Sequence, residues 1–171
     1  MLSRALRLLV LVAAGLSSAG AGPAWAQDDE LEAMATALKD TTFTLQDGLK
    51  AGEREGQPIS AQFEIDDGKL RISIYTTKGD DFSEVVADAK SGAIVKTEKI
   101  TDTDELNDAA DQKAAMAKAK TSLVAAADAA VKENSGFRAV SVFPDLRDGH
   151  AIAEVTLLQG TMAKKVTEKL E

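Results

Sequence analysis

The chain has no cysteine and only one histidine in 171 residues, and each scarcity excludes chemistry. Without cysteine there is no disulfide to staple the fold, no thiol nucleophile and no attachment point for a lipid. Tetrahedral Cys/His zinc sites lack their ligands. A nucleophilic triad would have to use His150 as its base, yet His150 follows Asp148-Gly149, a turn where an exposed imidazole is ordinary. Aromatics are also few, with one Trp, one Tyr and five Phe. An aromatic-lined sugar cleft has no material, and the core must rest on Ala, Val, Ile and Leu. No glycine-rich phosphate loop occurs. The residues therefore predict a protein that is not an enzyme and has no cofactor.

What is present begins with a leader. Arg4 and Arg7 precede an apolar run from Leu8 to Leu16, and Ala24-Trp25-Ala26 is a small-x-small cleavage site, so residues 1–26 read as a signal peptide. The run is shorter than the roughly 20 residues a membrane-spanning helix needs. The expectation is a periplasmic or secreted protein with no membrane anchor after cleavage. The leader carries two arginines and no acid, so the rest has 18 basic against 28 acidic residues, a net charge of −10. That charge argues against a nucleic-acid partner, whose phosphates are met by Lys and Arg.

From Pro58 the apolar residues alternate. Ile59, Ala61, Phe63 and Ile65 face one way and Ser60, Gln62 and Glu64 the other, as in a half-buried strand. Asp66-Asp67-Gly68 supplies a hairpin turn. Leu70, Ile72 and Ile74 then alternate with Arg71, Ser73 and Tyr75. After Lys78-Gly79-Asp80-Asp81, residues 82–90 read as a third strand, and residues 94–100 add a fourth. Before the sheet, residues 30–39 form a short amphipathic helix, and a second starts at Thr44, which can cap it with Asp47. Its buried side is Leu45, Gly48, Leu49 and Gly52. Glycine there predicts close approach of the helix backbone to the sheet.

Residues 101–112 are polar and acidic and read as a connector, helical from about Asp104. Residues 114–134 are helical by composition, with Ser122 as a cap or kink and Leu123, Ala127, Ala130 and Val131 as the apolar stripe. Beyond Gly136 the sheet pattern returns. A shift of 81 lays Asp67-Gly68 on Asp148-Gly149, Gly79 on Gly160, Ile59 on Val140, Ala61 on Val142, Ile65 on Leu146 and Ile74 on Val155 without a gap. The expected architecture is α+β: a first module over 27–100 and a second over 113–171, each with helices packed on a three- to four-stranded meander.

The order helix, strand, Asp-Gly hairpin, strand, turn and then Val85-Val86-Ala87-Asp88-Ala89-Lys90-Ser91-Gly92-Ala93-Ile94-Val95 resembles the PepSY domain family. The match covers residues 44–100, and more loosely 122–170, where Thr167-Glu168-Lys169-Leu170 lacks the Asp-to-Gly motif. The resemblance implies an exported, non-catalytic module that regulates a protein partner, with restraint of a peptidase or another envelope enzyme as the role the family suggests. Paired modules of this kind also look like the architecture of the β-lactamase inhibitory proteins, which bind through a sheet face. The family motif is structural and transfers no catalytic residue.

The partner surface expected from the alternation is the outward sheet face. In the first copy it carries Gln62, Glu64, Arg71, Ser73 and Tyr75; in the second it carries Ser141, Phe143, Ile152, Glu154, Thr156 and Leu158. The candidate contacts are Gln62, Glu64, Arg71, Tyr75, Phe143, Ile152 and Glu154. Phe143, Ile152 and Leu158 are too apolar to face water together, so either a partner or the other copy covers them. The alternative function is a periplasmic small-molecule or calcium-binding protein using the acidic turns Asp66-Asp67-Gly68 and Gly79-Asp80-Asp81. Neither turn spaces its oxygens as an EF-hand does, and turn formation alone accounts for both, so no metal residue is assigned.

Overall fold

The computed structural model describes residues 24–171, with side chains from residue 29 onward. The expected leader falls outside the described residues up to residue 23. Helix α1 (Ala24–Lys39) leads to α2 (Leu45–Gly52), strands β1 (Gln57–Asp66), β2 (Lys69–Lys78), β3 (Asp81–Asp88) and β4 (Ile94–Lys99), then α3 (Thr103–Lys118), α4 (Leu123–Glu133) and strands β5 (Arg138–Arg147), β6 (His150–Gln159) and β7 (Met162–Lys169). The fold is α+β, and the strands form a single antiparallel sheet in the order β4-β3-β2-β1-β5-β6-β7.

The local chemistry expected from the sequence is in place at α2. Thr44 accepts from the Asp47 amide while the Asp47 carboxylate accepts from the Thr44 amide, a complete capping box. Leu45, Gly48, Leu49 and Gly52 form its buried side. A Cβ on Gly48 would lie 2.8 Å from Ile72 Cγ2, and one on Gly52 would lie 2.7 Å from Ile74 Cγ2. The glycines thus let α2 sit directly on β2. Asp67 and Gly68, and again Asp148 and Gly149, have positive φ, as the two hairpins require.

Strand bounds recur at the offset of 81: Gln57–Asp66 with Arg138–Arg147, Lys69–Lys78 with His150–Gln159, and Asp81–Asp88 with Met162–Lys169. The bulge between Pro58 and Ser60 recurs between Ala139 and Ser141. The two sets meet at β1 and β5, which pair Ala61 with Val142 and Gln62 with Ser141. One apolar core runs through both, from Leu49, Ile72 and Val85 to Ala127, Val155 and Leu170.

Four expectations need correction. Residues 101–112 are helical close to where expected, with Asp102 capping α3 by accepting from the Asp104 and Glu105 amides, but the helix is a packed element that continues to Lys118 and not a connector. The helix expected over 114–134 is two helices. The amides of Lys120 and Thr121 leave it to donate to the Leu170 carbonyl, and Ser122 caps α4 at the Ala125 amide. The β1 bulge turns Ile59 away from Ala61 and Phe63. Ile59 packs instead with Tyr75, Phe82, Ile100 and Ala109. Ile65 and Leu146, read as inward, stand at the hairpin ends and are exposed.

Candidate functional site

The candidate contacts lie on the sheet face opposite α2, and α3 crosses part of that face. Leu106, Ala109 and Met116 of α3 pack on the cluster of Ile59, Tyr75 and Phe82, and Ser60 Oγ donates to Gln112 Oε1 at 2.7 Å. Lys113 reaches the Gly79 carbonyl and the Asp80 carboxylate, and Lys118 reaches the Gly149 carbonyl. The helix is therefore fastened at the β2–β3 turn and at the β5–β6 turn. A connector read as helical from about Asp104 gave no sign that the helix would roof the sheet, although Leu106, Ala109 and Met116 have the spacing of a helical stripe.

Of the seven candidate residues, Gln62, Tyr75 and Ile152 are buried. The other four are half-buried and fall into two cross-strand pairs, Glu64 opposite Arg71 and Phe143 opposite Glu154. Buried Gln62 and half-buried Ser141, paired across β1 and β5, separate the pairs. Leu158 and Thr156, expected outward, are buried as well.

Each pair sits in a charge network. Arg71 bonds the Asp88 carboxylate, while Ser73 Oγ donates to Glu64 Oε1 at 2.6 Å. The loop amides and hydroxyl at Ser91 hold the Asp88 carboxyl below its ordinary range, with Lys90 and Arg71 adding to the effect. On the other side Glu154 accepts from Arg147 at 2.7 Å and from Lys165 at 3.0 Å. Burial pushes the Glu154 carboxyl up, but the bonds from Lys165 and Arg147 outweigh it and leave it lowered. Between the pairs and α3, burial pushes up both the Tyr75 phenol and the Glu84 carboxyl opposite it, and neighbouring carboxylates reinforce both shifts.

The remaining chemistry-bearing features are placed as follows. His150 is exposed on the β5–β6 hairpin, with Nδ1 3.1 Å from the Glu171 carboxylate. Among the described residues no three His, Cys, Asp or Glu side chains converge as a metal site. A shallow cleft of about 320 Å3 opens where α2, β1 and α4 meet, lined chiefly by Leu49, Pro58, Met116, Leu123 and Val124. No described helix is long and apolar enough to cross a membrane.

No family model matches the chain, and no curated protein matches it. Among solved structures it is similar to a candidate lipoprotein of Clostridium difficile 630 at 17% identity and a TM-score of 0.40, over 71% of this chain and 80% of that one.

Proposed function

We propose that this is an exported, non-catalytic regulatory protein built as two tandem PepSY-like modules fused through β1 and β5, and that it acts in the periplasm by contact with a protein partner, a peptidase being the partner class that the family resemblance implies. The observation that carries the reading is Phe143: a half-buried ring on the sheet face beside α3, directly across from Glu154, whose carboxylate Arg147 and Lys165 hold. An aromatic ring beside fixed, already paired charges is the arrangement of an interface anchor, because the ring supplies apolar area at little entropic cost and the charges supply selectivity. Glu64 and Arg71 form the second, more polar patch of the same face. The buried residues Gln62, Tyr75 and Ile152 act by supporting the sheet beneath these side chains.

The experiment is affinity capture from periplasmic extract with the mature chain, followed by assay of the recovered protein for peptidase activity with and without added bait. Phe143→Ala is expected to reduce recovery about tenfold or more, in line with loss of an anchor residue. Recovery unchanged by Phe143→Ala and by Arg71→Glu would sink the sheet-face reading.

A further inference from the structure

The outer edge of β7 is the place where the two halves differ most. Its counterpart at the offset of 81, β3, carries β4 on that edge in antiparallel register, Ser83 opposite Lys99, Glu84 opposite Glu98 and Val85 opposite Thr97. Among the described residues no strand pairs with the outer edge of β7. An open edge presents backbone donors and acceptors to any extended chain that can approach.

We propose that the outer edge of β7 is a docking edge for an extended, acidic segment of a partner protein, which adds antiparallel as an eighth strand. Charge selects the occupant. The chain as a whole has a formal charge of −8, yet this edge carries Lys164, Lys165 and Lys169 against Glu168 alone. Where β3 sets Ser83 and Glu84 against β4, β7 sets Lys164 and Lys165, so the incoming strand matches best with acidic side chains at those two positions. Val166 lies between them and Thr167, opposite a position that takes a β-branched residue, as Thr97 does on β3.

Self-pairing depends on register. Two β7 edges centred between Lys164 and Lys165 would set those lysines against each other, which is destabilising, whereas edges centred on Val166 would set Lys164 against Glu168, so sedimentation is the measurement that separates a second copy from an acidic partner. Lysine on an edge is also a guard against sheet-to-sheet aggregation. Such a guard repels a basic edge most strongly, and an acidic strand is the one it opposes least. Lys164 and Lys165 are already drawn to Asn134 Oδ1 and to Glu154, on the two sides of the sheet, so neither lies over the backbone groups of the edge itself.

The edge shares Lys165 with the Glu154 network beside Phe143, so Lys164→Gln, which leaves that network intact, is the variant that separates this proposal from the sheet-face reading. The probe is a blocked peptide of alternating Val and Thr with two adjacent glutamates at its C-terminal end, compared by calorimetry with the same peptide carrying two lysines. The glutamate peptide is expected to bind about tenfold more tightly or better and to slow amide exchange along β7, with the preference weakening as salt rises. Lys164→Glu with Lys165→Glu is expected to reverse the preference. Lys164→Gln, which leaves the Glu154 network intact, is expected to weaken the glutamate peptide severalfold. No binding of the glutamate peptide at millimolar concentration, equal affinity for both peptides, or protection confined to other strands would each overturn the proposal. So would sedimentation showing a dimer whose formation protects β7, which would give the edge to a second copy of this chain.

Discussion

Gly48 and Gly52 show how a single residue type can outweigh its own propensity. In an isolated helix each would cost about 1 kcal/mol relative to Ala. Here a methyl group at either position would enter the space held by Ile72 or Ile74, both fully buried. Overpacking of this kind costs about 1–3 kcal/mol, so Gly48→Ala is expected to destabilise the protein in urea unfolding despite the better helix former. A gain in stability would contradict the close approach. The glycines were legible in the sequence because they recur on the face that the capping box and the Leu45/Leu49 spacing already defined. Glu84 was not legible, since its burial depends on α3 and on the strands around it. Because its carboxyl is raised, the native state keeps a proton that the unfolded chain has lost over the interval between the two values, so this group's contribution to stability falls as pH rises from the ordinary glutamate range through its folded value. Glu84→Gln removes that cost. The variant is expected to melt higher than the parent at pH 7, and the difference is expected to close below about pH 4, where glutamate is protonated in both states. A pH-independent difference would mean that packing, not ionisation, sets it.

At the scale of elements, two helices are held by side chains that reach across the sequence. Arg138, at the start of β5, donates to the carbonyls of Leu38 and Thr41 at 2.7 and 3.0 Å and to that of Phe43 at 3.1 Å. It thereby fixes the end of α1, and Thr41 adds a bond to the Ala89 carbonyl. Hydrogen bonds from a charged donor are worth about 1.5–3 kcal/mol net. Arg138→Met is therefore expected to destabilise by about that much and to speed amide exchange in α1 before the sheet. Exchange that rises uniformly over the chain would argue against a local clasp. Strands and turns were readable because period-two alternation and Asp-Gly are local signals. The course of α3 was not, because its anchoring contacts at Gly79 and Gly149 join residues whose neighbourhood is fixed only by the completed sheet. The bulge at Ile59 escaped for a similar reason: a residue inserted into a ladder leaves the alternation unchanged when read along one strand alone.

For the whole molecule, a core continuous across β1 and β5 makes one cooperative unit the expectation, even though the strand bounds come in two sets. Calorimetry of the mature chain is expected to give a single transition, with Val142→Asp lowering the stability of β1–β3 as much as that of β5–β7 when exchange is followed strand by strand. Two separable transitions would show that the halves fold independently. The offset of 81 was visible in the sequence and describes the strands to the residue, whereas the continuity of the sheet was not visible, because no local pattern states which edge a strand will offer.

The pairing of Ala61 with Val142 carries one more consequence. Each is the other's counterpart at the offset of 81, so this pair marks an approximate twofold axis passing through the sheet. In a dimer of identical chains a residue on such an axis must face its own image. A single chain that encodes both halves is free of that restriction. It sets a small side chain against a larger one, both fully buried, and so breaks the symmetry on the axis itself.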